Sequence, residues 1–181
     1  MTDPRSPQLD ASSSAAVRVL GIDPGLQITG YALMDLKRGA LEPVLVEAGV
    51  FRFNPKRPLE ERLGQLHTDL SELIAEHVPQ QVAVEQLYAH YAHPRTAILM
   101  GHARGVILQC AAAAGLAVQS LAATEVKKSI TGNGHATKEQ IQLAVQAQCG
   151  LAQPPSPPDV ADAIAIALTH GRRLGVSRAV R

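Results

Sequence analysis

Apolar positions along this chain come first in short runs broken by turn residues, and later recur with a helical period. Residues 17–23, 29–36 and 44–53 read as strands. Pro24-Gly25 and Lys37-Arg38-Gly39 separate them, so a meander is expected. Over residues 58–78, Leu59, Leu63, Leu66, Leu70, Leu73, Ile74 and Val78 form one stripe of an amphipathic helix, which Pro79 ends. A short apolar strand at 81–85 follows, then a loop rich in Tyr and His at 88–94 and a helix near 95–114 loaded with small residues. Next come a strand at 116–121, a short helix from Thr124, and a loop at 131–136. Thr137 with Gln140 makes a capping box for another helix. The proline-rich stretch 153–158 leads into a last apolar helix with Pro158 in its first turn. Strands first, then helices and strands in alternation, predict an α/β fold: a five-stranded mixed sheet with helices on both faces.

Composition narrows the class. A chain of 181 residues can bury one real core, expected at 17–173, between a disordered tail at 1–16 and a short tail at 174–181. With 46% hydrophobic but only 3% aromatic residues, that core must be aliphatic. No apolar run approaches the roughly 18 residues of a membrane span, and the polar N-terminus lacks a signal-peptide core, so a cytoplasmic protein without membrane attachment is expected. Cys110 and Cys149 stand in apolar helical contexts without ligand spacing and read as reduced thiols. His67, His77, His102 and His170 fall on predicted helices and read as structural.

Four carboxylates do not fit that apolar pattern. Asp23 closes the strand of Val19-Leu20-Gly21-Ile22-Asp23, and Glu85 closes Val82-Ala83-Val84-Glu85. Asp159 and Asp162 stand i, i+3 at the start of the last helix, on one face. Asp23 before Pro-Gly, or Asp159 at a helix start, has an ordinary structural explanation. Glu85 and Asp162 fit such explanations badly, because one ends an apolar strand and the other interrupts an apolar helix, where an unpaired charge is costly. No Lys or Arg interrupts the same runs, so divalent cations are the expected partners. If the strands ending at Asp23 and Glu85 are parallel neighbours, their ends lie roughly 5 Å apart. Such a cluster could hold two Mg²⁺ or Mn²⁺ about 3.5–4 Å apart, the arrangement used for in-line attack on phosphodiesters. The formal net charge is +1; two divalent ions would carry it to about +5, which favours a polyanion.

The combination of Gly21-Ile22-Asp23-Pro24-Gly25, Thr29-Gly30-Tyr31, Glu85-Gln86, Gly101-His102-Ala103-Arg104-Gly105 and Asp159-Val160-Ala161-Asp162-Ala163 resembles the RuvC family of Holliday-junction resolvases over about residues 17–172. The resemblance implies an RNase H-like fold and a homodimer. It implies Mg²⁺- or Mn²⁺-dependent paired nicking of four-way DNA junctions in recombination and repair, and a RuvA–RuvB-type branch-migration complex as partner. It puts the catalytic, metal-binding acids at Asp23, Glu85, Asp159 and Asp162. It assigns Tyr88 to contact with junction bases, and Lys127 and Lys138, bracketing Gly132-Asn133-Gly134, to phosphate binding. Lysine near predicted helix starts is unfavourable to the helix dipole, which is consistent with a phosphate arriving there. The chain departs from the family at His90-Tyr91-Ala92-His93-Pro94, where relatives often carry a basic residue with Asn.

Three other readings compete. The first motif also resembles a phosphate loop of the actin-like ATPases, but those need two such domains, for which 181 residues leave no room. A non-catalytic DNA-binding scaffold does not explain four acids at one place. A nuclease of the same fold acting on RNA is the closest rival. Two opposed cuts require two sites, and the helix at 95–114, with Gly101, Ala103, Gly105, the run Ala111–Ala114, Ile98, Leu99, Val106 and Ile107, is the expected dimer contact.

Overall fold

The computed structural model describes residues 16–37, 39–87 and 94–179. Residues 1–15, Arg38 and residues 88–93, with Tyr88, His90, Tyr91 and His93, lie outside these residues. Three antiparallel strands, β1 (Val17–Asp23), β2 (Ile28–Leu36) and β3 (Val44–Arg52), form the expected meander. Helix α1 (Leu59–His77) leads to β4 (Gln81–Glu85), and α2 (Pro94–Ala113) leads to β5 (Ala117–Leu121). Helices α3 (Ala123–Thr131), α4 (Lys138–Cys149) and α5 (Pro158–Ala179) complete the chain. The sheet order is β3-β2-β1-β4-β5, with β4 parallel to both β1 and β5.

The alternation of side chains along each strand divides the core in two. Leu20, Ile22, Leu33, Val82 and Val84 face α1 and α2, where they meet Leu66, Leu70, Leu73, Ala103, Ile107 and Ala111. Val19, Ala32, Met34 and Ala83 face α3, α4 and α5, and meet Val126, Ile130, Ile141, Val145, Ile164 and Leu168. Leu66 and Leu70 of the α1 stripe are almost wholly buried, each worth about 1.5–3 kcal/mol relative to exposure. No helix among the described residues is long and apolar enough to cross a membrane.

Local signals account for most helix ends. Thr137 accepts from the Gln140 N–H and the Gln140 side chain accepts from the Thr137 N–H, the reciprocal box that opens α4. Two segments differ from the expectation. Helix α3 begins at Ala123 behind Ala122, which offers no side-chain cap, so Lys127 lies inside the helix and not at its start. Helix α5 runs through Ala179, past residue 173, because Leu174 still packs on the core and Gly175 lies against the Leu41 backbone. Cys110 is buried as expected, whereas Cys149 is only half-buried. His67 approaches the Cys110 sulfur at 3.3 Å, His77 lies 3.4 Å from Glu47, and buried His170 bonds Gln81 at 2.6 Å; all three serve packing.

Helix α5 crosses β1 and β2 unusually closely, and two glycines permit it. A Cβ on Gly21 would stand 2.6 Å from the Ala163 carbonyl oxygen and from Ala167. A Cβ on Gly30 would overlap the main-chain carbonyl of Asp159. Backbone cannot yield as a flexible side chain does. Gly30→Ala should therefore lower unfolding free energy by about 1–3 kcal/mol. Gly64→Ala, at an exposed α1 position with open space around it, should raise it by up to about 1 kcal/mol. Urea denaturation of the two variants checks both signs.

Candidate active site

The register of the parallel pair brings the first two acids together. Ile22 stands opposite Val84, so Asp23 and Glu85, one residue further on, end adjacent strands at the same edge of the sheet. Alternation sets their direction. Gly21 and Ala83 face α5, and Asp23 and Glu85, two positions along, share that face. The turn after Asp23 is closed by Thr29, fully buried, whose hydroxyl donates to the Gly25 carbonyl at 2.6 Å and accepts from its N–H at 3.2 Å.

Helix α5 adds the other two acids. Gly30, against which the Asp159 carbonyl rests, is the β2 partner of Asp23. The first turns of α5 therefore begin beside Asp23, and Asp162 follows one turn later. All four carboxylates keep some open surface, but they sit among protein atoms and against one another. The Asp23 carboxyl is pushed well above the usual range, first by burial, then by the charges of Asp162, Glu85 and Asp159, with Lys138 opposing. Glu85 is raised by burial and by Asp162, against Lys127 and Lys138. Asp162 is raised by burial and by Asp159, against the same two lysines. Among the described residues, none of the four acids pairs with a Lys or Arg within 4.0 Å.

This cluster is poor in positive charge and rich in hard oxygen donors, the chemistry that suits Mg²⁺ or Mn²⁺ rather than a soft metal. No three His, Cys, Asp or Glu side chains among the described residues are already closed around one point. Mutual repulsion at full ionisation opposes such closure, and a divalent cation would reverse it. The donor set fits the ion.

Both predicted lysines reach the cluster's field. Lys127 lines a narrow crevice with Glu85, Asp162, Val126, Ile141 and Ile166. Exposed Lys138 is the first residue of α4, so the unfavourable dipole position applies to it alone. His135 is an exposed residue in the intervening turn, where its N–H bonds the Asn133 side chain. Tyr88 lies outside the described residues. Among the described residues, three roomier surface grooves, between β3 and α1, between β3 and the start of α5, and beside Arg18 and the end of α1, contain none of the four acids.

Four contributors carry little sequence signal. Gly21 and Gly30 matter through their distance from a helix far along the chain, and Thr29 through two bonds to a turn. Arg104 donates to the Glu85 carbonyl oxygen at 3.2 Å and to the Ser120 hydroxyl at 2.6 Å. All four residues stand in the short motifs read above, without an assigned role there.

Comparison with known proteins adds independent information. Residues 19–170 match the family described as crossover junction endodeoxyribonuclease RuvC. The proteins of that name from Rhodopirellula baltica and Halorhodospira halophila are 52% and 44% identical to this chain. These matches cover 87% and 84% of this chain and 88% and 89% of the relatives. The structure of Thermus thermophilus RuvC in complex with a Holliday junction substrate superposes with a TM-score of 0.81 at 35% identity, over 90% of this chain and 97% of that one. The architecture is accordingly the RNase H-like fold, with the acids at the sheet end where β1, β4 and α5 meet. By sequence and by fold alike, the chain belongs to the RuvC family of crossover junction endodeoxyribonucleases.

Proposed function

We propose that the protein resolves four-way DNA junctions as a homodimer, by paired metal-dependent nicks in opposing strands, during recombination and repair. The observation that carries this reading is the convergence of Asp23, Glu85, Asp159 and Asp162 from two strands and a helix, with no Lys or Arg within 4.0 Å of them among the described residues. Family membership implies dependence on a divalent metal. Two ions, Mg²⁺ or Mn²⁺, would supply the charge that activates an attacking water and stabilises the leaving 3′-oxygen. Asp23 and Glu85 would hold the ions from the sheet, while Asp159 and Asp162 would close the set from α5. Lys127 and Lys138 grip the scissile phosphate region, and Tyr88 stacks on a base near the junction centre. A RuvA–RuvB-type branch-migration complex is the proposed partner, in the cytoplasm.

The homodimer uses the outer face of α2. Ala103, Ile107 and Ala111 are committed inward, which removes them from the contact expected from sequence. Gly101, Gly105 and Ile98 remain exposed, and small residues with one large apolar neighbour allow close helix approach.

The test is a substrate panel: a mobile four-way junction, a linear duplex and an RNA–DNA hybrid, each with and without Mg²⁺ or Mn²⁺. Metal-dependent paired nicks on the junction alone support the reading. Preferential cutting of the hybrid would move it to the RNA-acting rival.

Asp23→Asn and Glu85→Gln should each cut junction cleavage by at least about 10²-fold, roughly 3 kcal/mol of transition-state stabilisation, while junction binding is retained or strengthened. The same acids should govern metal-free stability. Their folded pKa values are raised, so their favourable contribution is complete below the ordinary carboxylate range and is lost as pH rises through the raised values. Without metal, Asp23→Asn should melt above wild type at neutral pH, and the gap should close on acidification. A pH series of thermal melts, with EDTA and with Mg²⁺, measures it.

Tyr88→Ala should slow junction cleavage without lowering the melting temperature, because a base–aromatic stack is worth roughly 1–3 kcal/mol. Lys127→Ala and Lys138→Ala should instead flatten the salt dependence of binding. Salt profiles identical to wild type would return both lysines to ordinary surface.

Mixing wild-type with Asp23→Asn chains should give heterodimers that nick one strand and rarely complete the second cut. A protein that sediments as a monomer at micromolar concentration, alone and on a junction, would exclude the paired mechanism.

A further inference from the structure

Arg104 is half-buried in the middle of α2, and no step proposed above uses it. Its Nε–H donates to the Glu85 main-chain carbonyl at 3.2 Å, and its Nη2 donates to Ser120 Oγ at 2.6 Å. Both acceptors are neutral. Among the described residues, no carboxylate lies within 4.0 Å of the guanidinium. Charge pairing therefore does not explain why a cation is kept partly out of water here. The geometry of the fork does.

The two bonds land where the sheet stops holding the strand. Paired residues of β1 and β4 end at Ile22 and Val84, and those of β4 and β5 end at Glu85 and Leu121. One further bond, from the Gln86 N–H to the Leu121 carbonyl, follows on the β5 side. The Glu85 carbonyl thus stands at the last rung, beyond the β1 pairing. A peptide plane held on one side can tip, and the adjacent Cα–Cβ direction tips with it. Arg104 holds this plane from the α2 side, while the Glu85 carboxylate projects toward α5. Ser120, next to Leu121 on β5, fixes the other prong.

We propose that Arg104 is a positioning residue that clamps the Glu85 main chain and so sets the angle at which its carboxylate joins Asp23, Asp159 and Asp162. This rests on the reading of Glu85 as a metal-holding acid. Arg104 itself touches neither metal nor DNA. Its loss acts on metal affinity and on the chemical step, not on junction docking.

The test measures Mn²⁺ binding to DNA-free protein from the paramagnetic resonance signal of free Mn²⁺, beside single-turnover junction cleavage, junction affinity and thermal melting. Arg104→Ala should weaken Mn²⁺ binding about tenfold or more and slow cleavage, with junction affinity kept within about twofold because phosphate contacts dominate it. Arg104→Lys, which keeps the charge but lacks the planar fork, should recover part of the Mn²⁺ affinity. Ser120→Ala should show a smaller loss in the same direction. Arg18→Ala breaks the Arg18–Asp35 pair at the far end of β1, and should lower the melting temperature without moving Mn²⁺ affinity.

Wild-type Mn²⁺ affinity in Arg104→Ala overturns the clamp. If that variant does not fold, wild-type affinity in both Arg104→Lys and Ser120→Ala overturns it. An equal loss in Arg18→Ala overturns it too, since any destabilised variant would then behave alike. Glu85→Gln separates the clamp from the site reading beneath it. Undiminished Mn²⁺ binding by Glu85→Gln removes the metal-holding role, and the clamp falls with it. A large loss in Glu85→Gln beside unchanged Arg104 variants removes the clamp alone.

Discussion

The structure depends on how closely α5 can approach the sheet. Gly21 and Gly30 leave no side chain between β1, β2 and the helix backbone, so the Asp159 carbonyl rests on β2 itself. That approach covers one face of the sheet with Ala161, Ala163, Ile164, Ala165 and Leu168, all buried. It also sets how far Asp159 and Asp162 stand from Asp23. Packing and chemistry are thus governed by one distance, and interiors packed at crystal-like density do not tolerate small errors in it.

The acid cluster works against the fold that holds it. Burial and mutual repulsion raise the carboxyls of Asp23, Glu85 and Asp162, which makes their ionised, metal-free state a local liability. Stability comes from elsewhere: two aliphatic cores, the α4 capping box, and the bidentate Arg18–Asp35 pair at the opposite end of β1. Arg18 also donates to the His77 carbonyl at the end of α1, joining strand and helix there. One end of the sheet is charge-balanced and tied, and the other is left with excess negative charge. This asymmetry leaves the acid end of the sheet as the one suited to a cation.

Much of this was legible in the sequence where a local rule and the tertiary fold agree. Strands β1 and β4 have the expected ends, because in each an apolar run stops at an acid that the core cannot accept unpaired. The α4 start was legible for the same reason, since Thr137 and Gln140 satisfy one another locally. The start of α3 fell within one residue of the expected Thr124, although Ala122 offers no side-chain cap. Helix α2 mixes small and apolar residues around its circumference, so its pattern could not tell Ala103 and Ile107, which face inward, from Gly101 and Ile98, which do not. The glycine contacts with α5 and the reach of Arg104 to a backbone carbonyl join distant parts of the chain without any compositional mark. The grouping of the four acids was inferable from their breaks in apolar runs, but the device that brings α5 down to the sheet was not.

The order of the elements along the chain has a consequence for synthesis. Helix α5 follows every strand, so a growing chain that has reached only Cys149 carries Asp23 and Glu85 but neither Asp159 nor Asp162. Val19, Ala32, Met34 and Ala83 still lack the helix that covers them, and half of the acid set does not yet exist. A chain paused on the ribosome is therefore an incomplete nuclease with an exposed apolar face, a form that chaperones recognise. The helix that covers the apolar face is also the one that brings Asp159 and Asp162 to Asp23.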